Sequence, residues 1–448
     1  MDNKHTIQEL YEWQSLPLNV KILMTKRRIR DWVNYFGIDG VYVSFSGGKD
    51  STVLLHIARE IYPEIKACFI DTGLEYPEIR QFVKTFDNVD IVKPKIGFKK
   101  VCEKYGFPLI SKEVSERVYY AQKYLTWYMS QNSLERTNER TNERTNEPTD
   151  YGLCDLLGLR NHATRTQAER RKMVERIPNE VIQELIETGG KGTYKLRELY
   201  GAIDNDGKPS QFNYTKYKFL ATAPFYVSNK CCDVMKKSPA KKYHKTTGRV
   251  PITAEMASES RLRTQNWIRH GCNMFEGKKQ VSKPMSFWTE QDVLLFAKTY
   301  IIPRFNAMWI DAQFSTGSRR RKARKFLRKY GYSKTGIASV YGDVVVDYAG
   351  MGQLEGQMSI GDYMSVAERE EFDLDRPLLK TTGCKRTGCI LCGFGCHLEK
   401  GESRFERLKK THPSAYRALD VVQNNGITYR QAIDWINEHN GKGKIIRY

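Results

Sequence analysis

The sequence predicts an α/β fold built on a doubly wound parallel sheet, with helical insertions and a cysteine-rich C-terminal region. Short β-rich apolar runs alternate with helical segments from residue 41 to residue 92, a pattern typical of a parallel sheet. The loop SGGKDS follows the first of these runs directly. Four cysteines lie within residues 384–396. Because ligands bind at the carboxyl ends of strands in such sheets, we expect the functional site at this loop.

The elements are predicted in chain order from their apolar patterns. Residues 1–40 carry apolar positions at mixed helical spacing and predict an N-terminal helical segment. The elements expected next are a strand at 41–45, a helix from residue 51, a strand at 66–70, a helix at 78–86 and a strand at 89–92. The segments 71–73 and 46–51 both follow strands, so we expect them at the same edge of the sheet.

Two insertions interrupt this pattern. The main domain, 41–300, is broken at 130–215, which includes the polar ERTN repeat of residues 135–147. The repeat has no core positions, so we expect a solvated linker or exposed helix without chemistry. A basic insertion at 301–340 contains SRRRKARKFLRKYGYSK. Such a charge run is usually a solvated helix face, but its interleaved aromatic residues also suit phosphate contact and base stacking. Residues 341–448 form the cysteine-rich region.

The charge and the cysteine content restrict the class of protein. The formal net charge is +21, which favours anionic partners such as nucleotides or nucleic acid, although it also favours solubility alone. The polar N-terminus has no apolar signal region, and no stretch is long and apolar enough to span a bilayer. We therefore expect a cytoplasmic protein without a membrane partner, whose ten cysteines are reduced.

The string SFSGGKDST is typical of a phosphate-binding loop between a strand and a helix. Amides of Gly47, Gly48 and the first helical turn would converge where the helix dipole favours an anion. Lys49 adds a positive charge, and Asp50 is placed for an N-cap or a Mg²⁺ contact. The Walker pattern is absent. The alternative is an ordinary glycine turn that caps a helix. The expected contacts of the nucleotide are Ser44, Ser46, Gly47, Gly48, Ser51 and Thr52.

These residues carry a resemblance to a known family. The loop matches the SGGxDS signature of the PP-loop ATP pyrophosphatases. The string DTGLEYPE at 71–78 resembles a segment of the phosphoadenosine phosphosulfate (PAPS) reductase branch, and Glu259-Ser260-Arg261 is similar to its Glu-Ser-x-x-Arg segment. The resemblance implies an adenine nucleotide alpha hydrolase-like fold. It also implies either cleavage of ATP between its α and β phosphates with Mg²⁺, or binding of a sulfonucleotide.

The same resemblance implies roles for individual residues. The loop would hold pyrophosphate. Residues near Ile70 to Gly73, among them Asp71, Thr72 and Gly73, would border the adenine and ribose. Arg261 would contact an anion, and Glu259 would orient it or serve in polar binding. The expected catalytic residues are Lys49, Asp50 and Asp71.

The cysteines predict a metal centre whose ligand set stays open. Cys231-Cys232 with Cys389-x2-Cys392 is similar to the CC…CxxC set that holds a [4Fe–4S] cluster in assimilatory adenylyl-sulfate reductases. Tetrahedral zinc is the alternative, and unligated thiols are a third. Cys384 and Cys396 are near enough in sequence to join the ligands, while Cys272, Cys384 or Cys396 could instead carry sulfur or be buried.

The expected function depends on one difference from the cysteine pattern of the sulfonucleotide reductases. Sulfonucleotide reductases carry a further cysteine after the CxxC pair, in a Glu-Cys-Gly-(Leu/Ile)-His context, and here no cysteine follows Cys396. Several segments resemble phage and bacterial PAPS reductase-like proteins. Relatives with a PP-loop and an iron–sulfur centre include DNA phosphorothioation sulfurtransferases and tRNA 2-thiocytidine-forming enzymes. We therefore expect adenylation followed by sulfur transfer or nucleic-acid modification, with tRNA, DNA or a sulfur-donor protein as partner. The alternatives are a PAPS or adenylyl-sulfate reductase and a nucleotide-sensing, nucleic-acid-binding regulator.

Overall fold

The chain forms two compact units in this computed structural model. Unit 1 comprises Met1–Pro94 and Ser238–Gly388, and unit 2 comprises Lys95–Lys237 and Cys389–Tyr448. The structure describes residues 3–139, 171, 174, 177–188, 193–201, 213–277, 279–347 and 378–448, with side chains of 130–139 left out. The predicted solvated linker or exposed helix at the ERTN repeat, residues 135–147, involves side chains outside the part of the chain that the structure describes.

Unit 1 is organised around a central sheet. Its strands, in chain order, are β1 (Val41–Ser44), β2 (Ala67–Ile70), β3 (Val89–Val92), β4 (Val250–Ile252), β5 (Asn273–Met274) and β6 (Val281–Ser282). The spatial order is β3-β2-β1-β4-β6-β5. Every neighbouring pair is parallel except β5 with β6, which is antiparallel. The prediction of an α/β fold with a mainly parallel sheet is confirmed.

The position of β1 determines where a ligand can bind. Val41, Tyr42 and Val43 are all buried, as expected for a central strand covered on both faces. The chain adds β2 and β3 on one side of β1, and β4 on the other. The strand order therefore reverses between β1 and β4, and this topological switch opens a crevice at the carboxyl ends of the two strands.

Helices occupy most of the rest of unit 1. Two helices lie within residues 1–40, and two more lie within the basic insertion 301–340. The helices are Ile7–Ser15, Leu18–Phe36, Lys49–Ile61, Pro77–Lys84, Ser238–Thr247, Arg261–His270, Glu290–Phe296, Ile302–Phe314 and Gly317–Tyr330. Short 3₁₀ turns lie at Ile38–Gly40, Ala257–Glu259 and Ser339–Tyr341, and a π-helical turn lies at Ala297–Ile301.

A small hairpin-like pair completes unit 1. Val344–Val346 pairs antiparallel with Leu379–Thr381. The turn 382–388 follows the second strand and ends the unit. Its backbone is bonded to residues 340–343, for example from Thr382 N to Asp343 O at 2.9 Å and from Cys384 N to Val340 O at 2.9 Å. The turn therefore has a defined position within the unit.

Unit 2 is mainly helical and has two small sheets. The helices are Phe98–Tyr105, Lys112–Glu139, Asn179–Thr188, Tyr194–Tyr200, Lys230–Cys232, Arg404–Thr411, Pro413–Tyr416, Ala418–Val421 and Tyr429–His439. Leu109–Ile110 pairs parallel with Gly393–Phe394, and Gln423–Asn424 pairs antiparallel with Ile427–Thr428. The buried Tyr429 donates to the carbonyl oxygens of Pro108 and Leu391, and so fixes the segment after Cys389.

Across the described parts of both units, no helix combines the length and the apolar composition needed to cross a membrane.

Candidate functional site

The SGGKDS loop makes a tight turn from β1 into the helix Lys49–Ile61. Gly47 has φ 71°, a backbone conformation that favours glycine. A Cβ added there would lie 2.7 Å from Val83 Cγ2 and 2.8 Å from Ile79 Cγ2. Gly48 precedes the helix as its N-cap without a side-chain cap. Gly47 therefore lets the loop pack closely on the helix Pro77–Lys84.

Hydroxyl groups hold the loop in shape. Ser46 Oγ and Ser51 Oγ are 2.9 Å apart, and Ser46 Oγ accepts from the Gly48 amide at 3.2 Å. Ser51 Oγ also accepts from the Ser46 amide at 3.2 Å. Thr52 Oγ1 donates to the Gly48 carbonyl at 2.9 Å. Ser51 and Thr52 are thus bonded within the loop, while Ser46 also lines the cavity described below.

Lys49 is a buried cation with several partners. Its side chain is 5% exposed, and Nζ lies 3.0 Å from Glu290 Oε1 and 3.7 Å from Asp50 Oδ1. Nζ also donates to the Lys385 carbonyl at 3.0 Å. The Lys49 amide donates to Tyr341 Oη at 3.0 Å. The ammonium group is therefore held at the helix start, where it adds to the positive end of the helix dipole.

A cavity of about 290 Å³ opens beside the loop. It lies within unit 1, and its wall combines the loop with segments after β4, before the helix Glu290–Phe296, and in the turn 382–388. The lining residues are Ser46, Gly48, Lys49, Asp50, Met256, Ser258, Glu259, Thr289, Glu290, Tyr341, Arg386 and Thr387. The cavity therefore lies at the switch between β1 and β4, where an α/β sheet binds its ligands.

Among the carboxylates that line the cavity, Asp50 has a pKa that its surroundings shift. Burial raises its pKa, and the negative charge of Glu290 acts in the same direction, while Lys49 and Arg386 oppose the shift. Asp50 Oδ1 is buried and has no hydrogen-bond partner within the described part of the chain. Three carboxylates, Asp50, Glu259 and Glu290, therefore line a site that also offers two cations, so the cavity suits an anion that arrives with a metal ion.

The predicted residues after β2 form a self-contained turn. Asp71 accepts from Arg80 Nη2 at 2.9 Å and from the Gly73 amide at 3.1 Å. Thr72 Oγ1 donates to Glu75 Oε1 at 2.7 Å, and Gly73 has φ 77°. None of Asp71, Thr72 and Gly73 is among the residues that line the cavity, nor is Ser44.

The predicted segment after β4 contributes Glu259 to the wall of the cavity. Glu259 lines the cavity, and its carboxylate pairs with Arg263, four residues further along. Arg261 begins the helix Arg261–His270, is exposed and does not line the cavity. The arginine beside Glu259 is therefore Arg263, which is also the residue at the arginine position of the Glu-Ser-x-x-Arg pattern counted from Glu259, whereas the sequence interpretation named Arg261.

Other lining residues were also not identified from the sequence. Thr289 and Glu290 lie in KPMSFWTEQDV, and Arg386 and Thr387 lie in TGCKRTGC. Both strings resemble segments of the PAPS reductase-like group. Because that resemblance assigns no role to these segments, it did not identify their residues as part of the site. No sequence pattern indicated Tyr341 as a site residue, because its contact with Lys49 joins residues 292 positions apart.

The structure brings the four predicted metal ligands into unit 2. Cys231 and Cys232 are neighbours in one helical turn, and the Cys392 amide donates to the Cys389 carbonyl at 3.0 Å. The Cys231 thiol hydrogen-bonds to Cys232, which lowers the pKa of Cys232 to about 6, with help from nearby lysines. The hydrogen bond to Cys232 raises the pKa of Cys231, and the charge of Cys392 adds to the rise.

These thiols match a [4Fe–4S] cluster in kind and number. As they are placed here, however, no group of three or more His, Cys, Asp or Glu side chains in the described residues could hold a metal ion. The other three cysteines considered for a role differ in position: Cys272 and Cys384 are buried in unit 1, and Cys396 donates to the Cys392 carbonyl at 3.6 Å.

Comparison with known proteins identifies the part of the chain that carries the loop. Residues 40–122 match the family model of the phosphoadenosine phosphosulfate reductase domain. An uncharacterized protein of Methanocaldococcus jannaschii is 38% identical over 73 residues, which are 15% of this chain and 18% of that protein. The chain thus spans less than a fifth of that relative's length. No solved structure matches the chain. The matched segment carries the SGGKDS loop, β1, β2 and β3, and this part of the chain is therefore similar to a phosphoadenosine phosphosulfate reductase domain.

Proposed function

We propose that this protein binds ATP at the SGGKDS loop, cleaves it between the α and β phosphates to adenylate a substrate, and acts in sulfur transfer or nucleic-acid modification. The observation that carries the proposal is the cavity at the start of the helix Lys49–Ile61, at the switch between β1 and β4. A helix N-terminus with a buried lysine is suited to a polyphosphate.

The residues of the loop would act on the leaving group. A nucleophilic atom of the substrate attacks the α phosphorus, the bond to the α–β bridging oxygen breaks, and pyrophosphate leaves. Lys49 and the amides at the helix start would offset the charge on pyrophosphate as it develops. A sulfur nucleophile would then displace AMP from the adenylated substrate.

The carboxylates in the cavity support a need for Mg²⁺. Asp50 and Glu290 would repel bare phosphates, and both are oxygen ligands of the type that this ion takes from proteins. Mg²⁺ commonly uses one or two carboxylates together with phosphate oxygens, so a preformed group of three ligands is not needed. When bound, the ion would neutralise phosphate charge.

A basic helix supports nucleic acid as the acceptor. The helix Gly317–Tyr330 has no acidic residue, and eight of its fourteen residues are Arg or Lys. The exposed cations are Arg319, Arg321, Lys322, Arg324, Lys325 and Arg328. Such a face attracts phosphate backbones without reading their sequence.

For the four thiols of unit 2 we propose a [4Fe–4S] cluster, with zinc as the alternative. Cys231, Cys232, Cys389 and Cys392 would be its ligands, and a cluster would supply bound iron and sulfide. The four side chains would have to move closer together to bind a cluster. An anaerobic absorption spectrum with iron and sulfide analysis distinguishes cluster from zinc.

Pyrophosphate release tests the proposed reaction. Purified protein with ATP and Mg²⁺ should release pyrophosphate when tRNA or DNA is added, and little without it. AMP should be released when a sulfide donor is supplied as well. A Ser51→Ala variant should bind ATP more weakly, because Ser51 no longer bonds to Ser46 and Gly48 and the loop is held less firmly. If the protein does not bind ATP, or binds it and forms only ADP, the proposed reaction is wrong.

The family match favours one second candidate, reduction of PAPS or adenylyl sulfate. That activity predicts sulfite release from the sulfonucleotide with a thiol donor. ATP binding without sulfite release in the same preparation would eliminate the reductase and leave the adenylating enzyme. Nucleic-acid binding with neither reaction would instead favour a regulator.

A further inference from the structure

The turn 382–388 is attached directly to the SGGKDS loop. Tyr341 Oη accepts from the Lys49 amide at 3.0 Å and lies 2.5 Å from Thr387 Oγ1, so one buried hydroxyl bridges the two segments. Lys49 Nζ donates to the Lys385 carbonyl at 3.0 Å. Both contacts lie within unit 1.

The turn is also fixed from its other side. Gly383 N donates to the Tyr341 carbonyl at 2.9 Å. A Cβ at Gly383 would lie 2.3 Å from the Val340 carbonyl oxygen, so the two backbones are in close contact. Thr381 Oγ1 donates to the Cys384 carbonyl at 3.0 Å. These contacts hold the residues between Cys384 and Thr387 at one place beside the loop.

Arg386 lies between these anchored residues and lines the cavity. Its positive charge acts on the Asp50 carboxyl, where it opposes the rise in pKa that burial causes. Its guanidinium is exposed and has no ion-pair partner among the described residues, whereas Lys49 is already paired with Glu290. Arg386 is therefore a cation at the cavity that is available to a ligand.

We infer that the turn 382–388 is part of the nucleotide site, and that Arg386 contacts the phosphates as a second cation beside Lys49. This rests on the proposed function of the loop. Guanidinium forms paired hydrogen bonds with phosphate oxygens, so it would add both charge and geometry to the grip. The turn lies far outside residues 40–122, so the segment that matches the family model would not be sufficient for tight binding.

Calorimetric titration of the full-length protein tests this inference, with ATP, inorganic pyrophosphate and adenosine as separate probes in Mg²⁺. Arg386→Gln should weaken ATP and pyrophosphate about 10-fold or more, which corresponds to the loss of one charge-assisted hydrogen bond. Binding of adenosine should change less than about 2-fold, because adenosine has no phosphate for Arg386 to contact. Arg386→Lys should recover part of the affinity, because it restores the charge without the paired geometry.

Arg269→Gln is the matched control, because Arg269 is an exposed arginine of the helix Arg261–His270 and does not line the cavity. It should bind all three probes as the wild type does. Equal ATP affinity in Arg386→Gln and wild type would overturn this inference and leave the proposed function intact. Failure of the wild type to bind ATP would overturn both. A parallel loss of adenosine binding would show that Arg386 is structural and not a phosphate contact.

Discussion

The backbone amide of Lys49 donates a hydrogen bond to the hydroxyl oxygen of Tyr341, at 3.0 Å. Amides in the first turn of a helix have no partner within the helix, and a phosphate commonly accepts from them. Here a tyrosine from a distant segment accepts from one of them. The Lys49 amide therefore has an acceptor within the protein, and the loop is coupled through Tyr341 to the turn that carries Arg386.

Tyr341→Phe should lower the stability of unit 1. The ring is 1% exposed, so the hydroxyl is removed from a buried site and leaves Lys49 N and Thr387 Oγ1 without this partner. We expect a loss of about 1–2 kcal/mol in the free energy of unfolding, measured by urea denaturation. Tyr332→Phe is the control, because Tyr332 is 41% exposed and its change should be near zero. Equal stabilities for the two variants would show that the Tyr341 contact contributes nothing.

Gly47→Ala should disrupt the loop more than Gly73→Ala. Both glycines have positive φ, at 71° and 77°, so each substitution carries a backbone cost of about 1–2 kcal/mol. Only at Gly47 would the added Cβ overlap other atoms, at 2.7 Å from Val83 and 2.8 Å from Ile79. Gly73 has no atom within 4 Å of an added Cβ.

The overlap should add about 1–3 kcal/mol to the cost at Gly47. Urea denaturation of both variants gives the difference, and ATP titration should show weaker binding for Gly47→Ala. If both variants lose the same stability, backbone strain alone accounts for the need for glycine in this loop, and the packing on Val83 and Ile79 does not matter.

The sequence predicted the parts of the fold that depend on local pattern. β1, β2 and β3 follow apolar runs, and the SGGKDS loop follows β1, so each was visible from neighbouring residues. β5 and β6 each have only two residues, too few for a recognisable pattern. The rest of the cavity wall joins residues distant in sequence, such as Lys49 and Tyr341, whose proximity is a property of the folded unit alone.

His56 should make the protein less stable as the pH falls. It is buried, stacks on Tyr330 at 5.0 Å, and its pKa is lowered to about 3 by burial and by the charges of Arg304 and Arg59. The unfolded chain takes up this proton near pH 6.5, while the folded protein does not. Stability is therefore complete above about pH 6.5 and falls as the pH drops toward about 3.

For this one group we expect a loss of about 2 kcal/mol between about pH 7 and pH 5. His56→Leu has no such proton to bind, so its unfolding free energy should change less over the same interval, even if the variant is less stable at neutral pH. Urea denaturation at several pH values gives both slopes. Parallel slopes would mean that His56 does not titrate in this way.

The basic helix should govern salt-dependent binding of nucleic acid. Arg321, Arg324 and Lys325 are exposed at spacings of i, i+3 and i+4, so they lie on one face of the helix. Their joint replacement by Gln should weaken binding of tRNA or DNA at low salt. The slope of log affinity against log salt should decrease by about 2–3, because each of the three cations would neutralise about one phosphate. ATP binding should not change.

The matched control removes the same charge elsewhere. Lys241, Lys242 and Lys245 are exposed on the helix Ser238–Thr247, and their triple Gln variant should retain most of the salt slope. Equal effects of the two triple variants would attribute nucleic-acid binding to net charge and not to the helix face.

Lys21 and Asp292 form a buried ion pair that supports the cavity wall. Their atoms lie 2.8 Å apart, and the side chains are 1% and 0% exposed. Asp292 also accepts from the amide and the hydroxyl of Thr289, which caps the helix Glu290–Phe296. Lys21→Met should cost about 3–5 kcal/mol, because it leaves a buried carboxylate without its cation. Since Thr289 and Glu290 line the cavity, ATP affinity should fall as well.

Lys26→Met on the same helix is the control, because Lys26 pairs with Glu60 at 2.9 Å with both side chains partly exposed. It should cost at most about 1 kcal/mol. Asp292→Asn combined with Lys21→Met removes the unpaired charge and keeps an acceptor for Thr289. If the cost of Lys21→Met arises from that charge, the double variant should be more stable than Lys21→Met alone. A double variant as unstable as the sum of both single changes would instead attribute the cost to packing around Lys21.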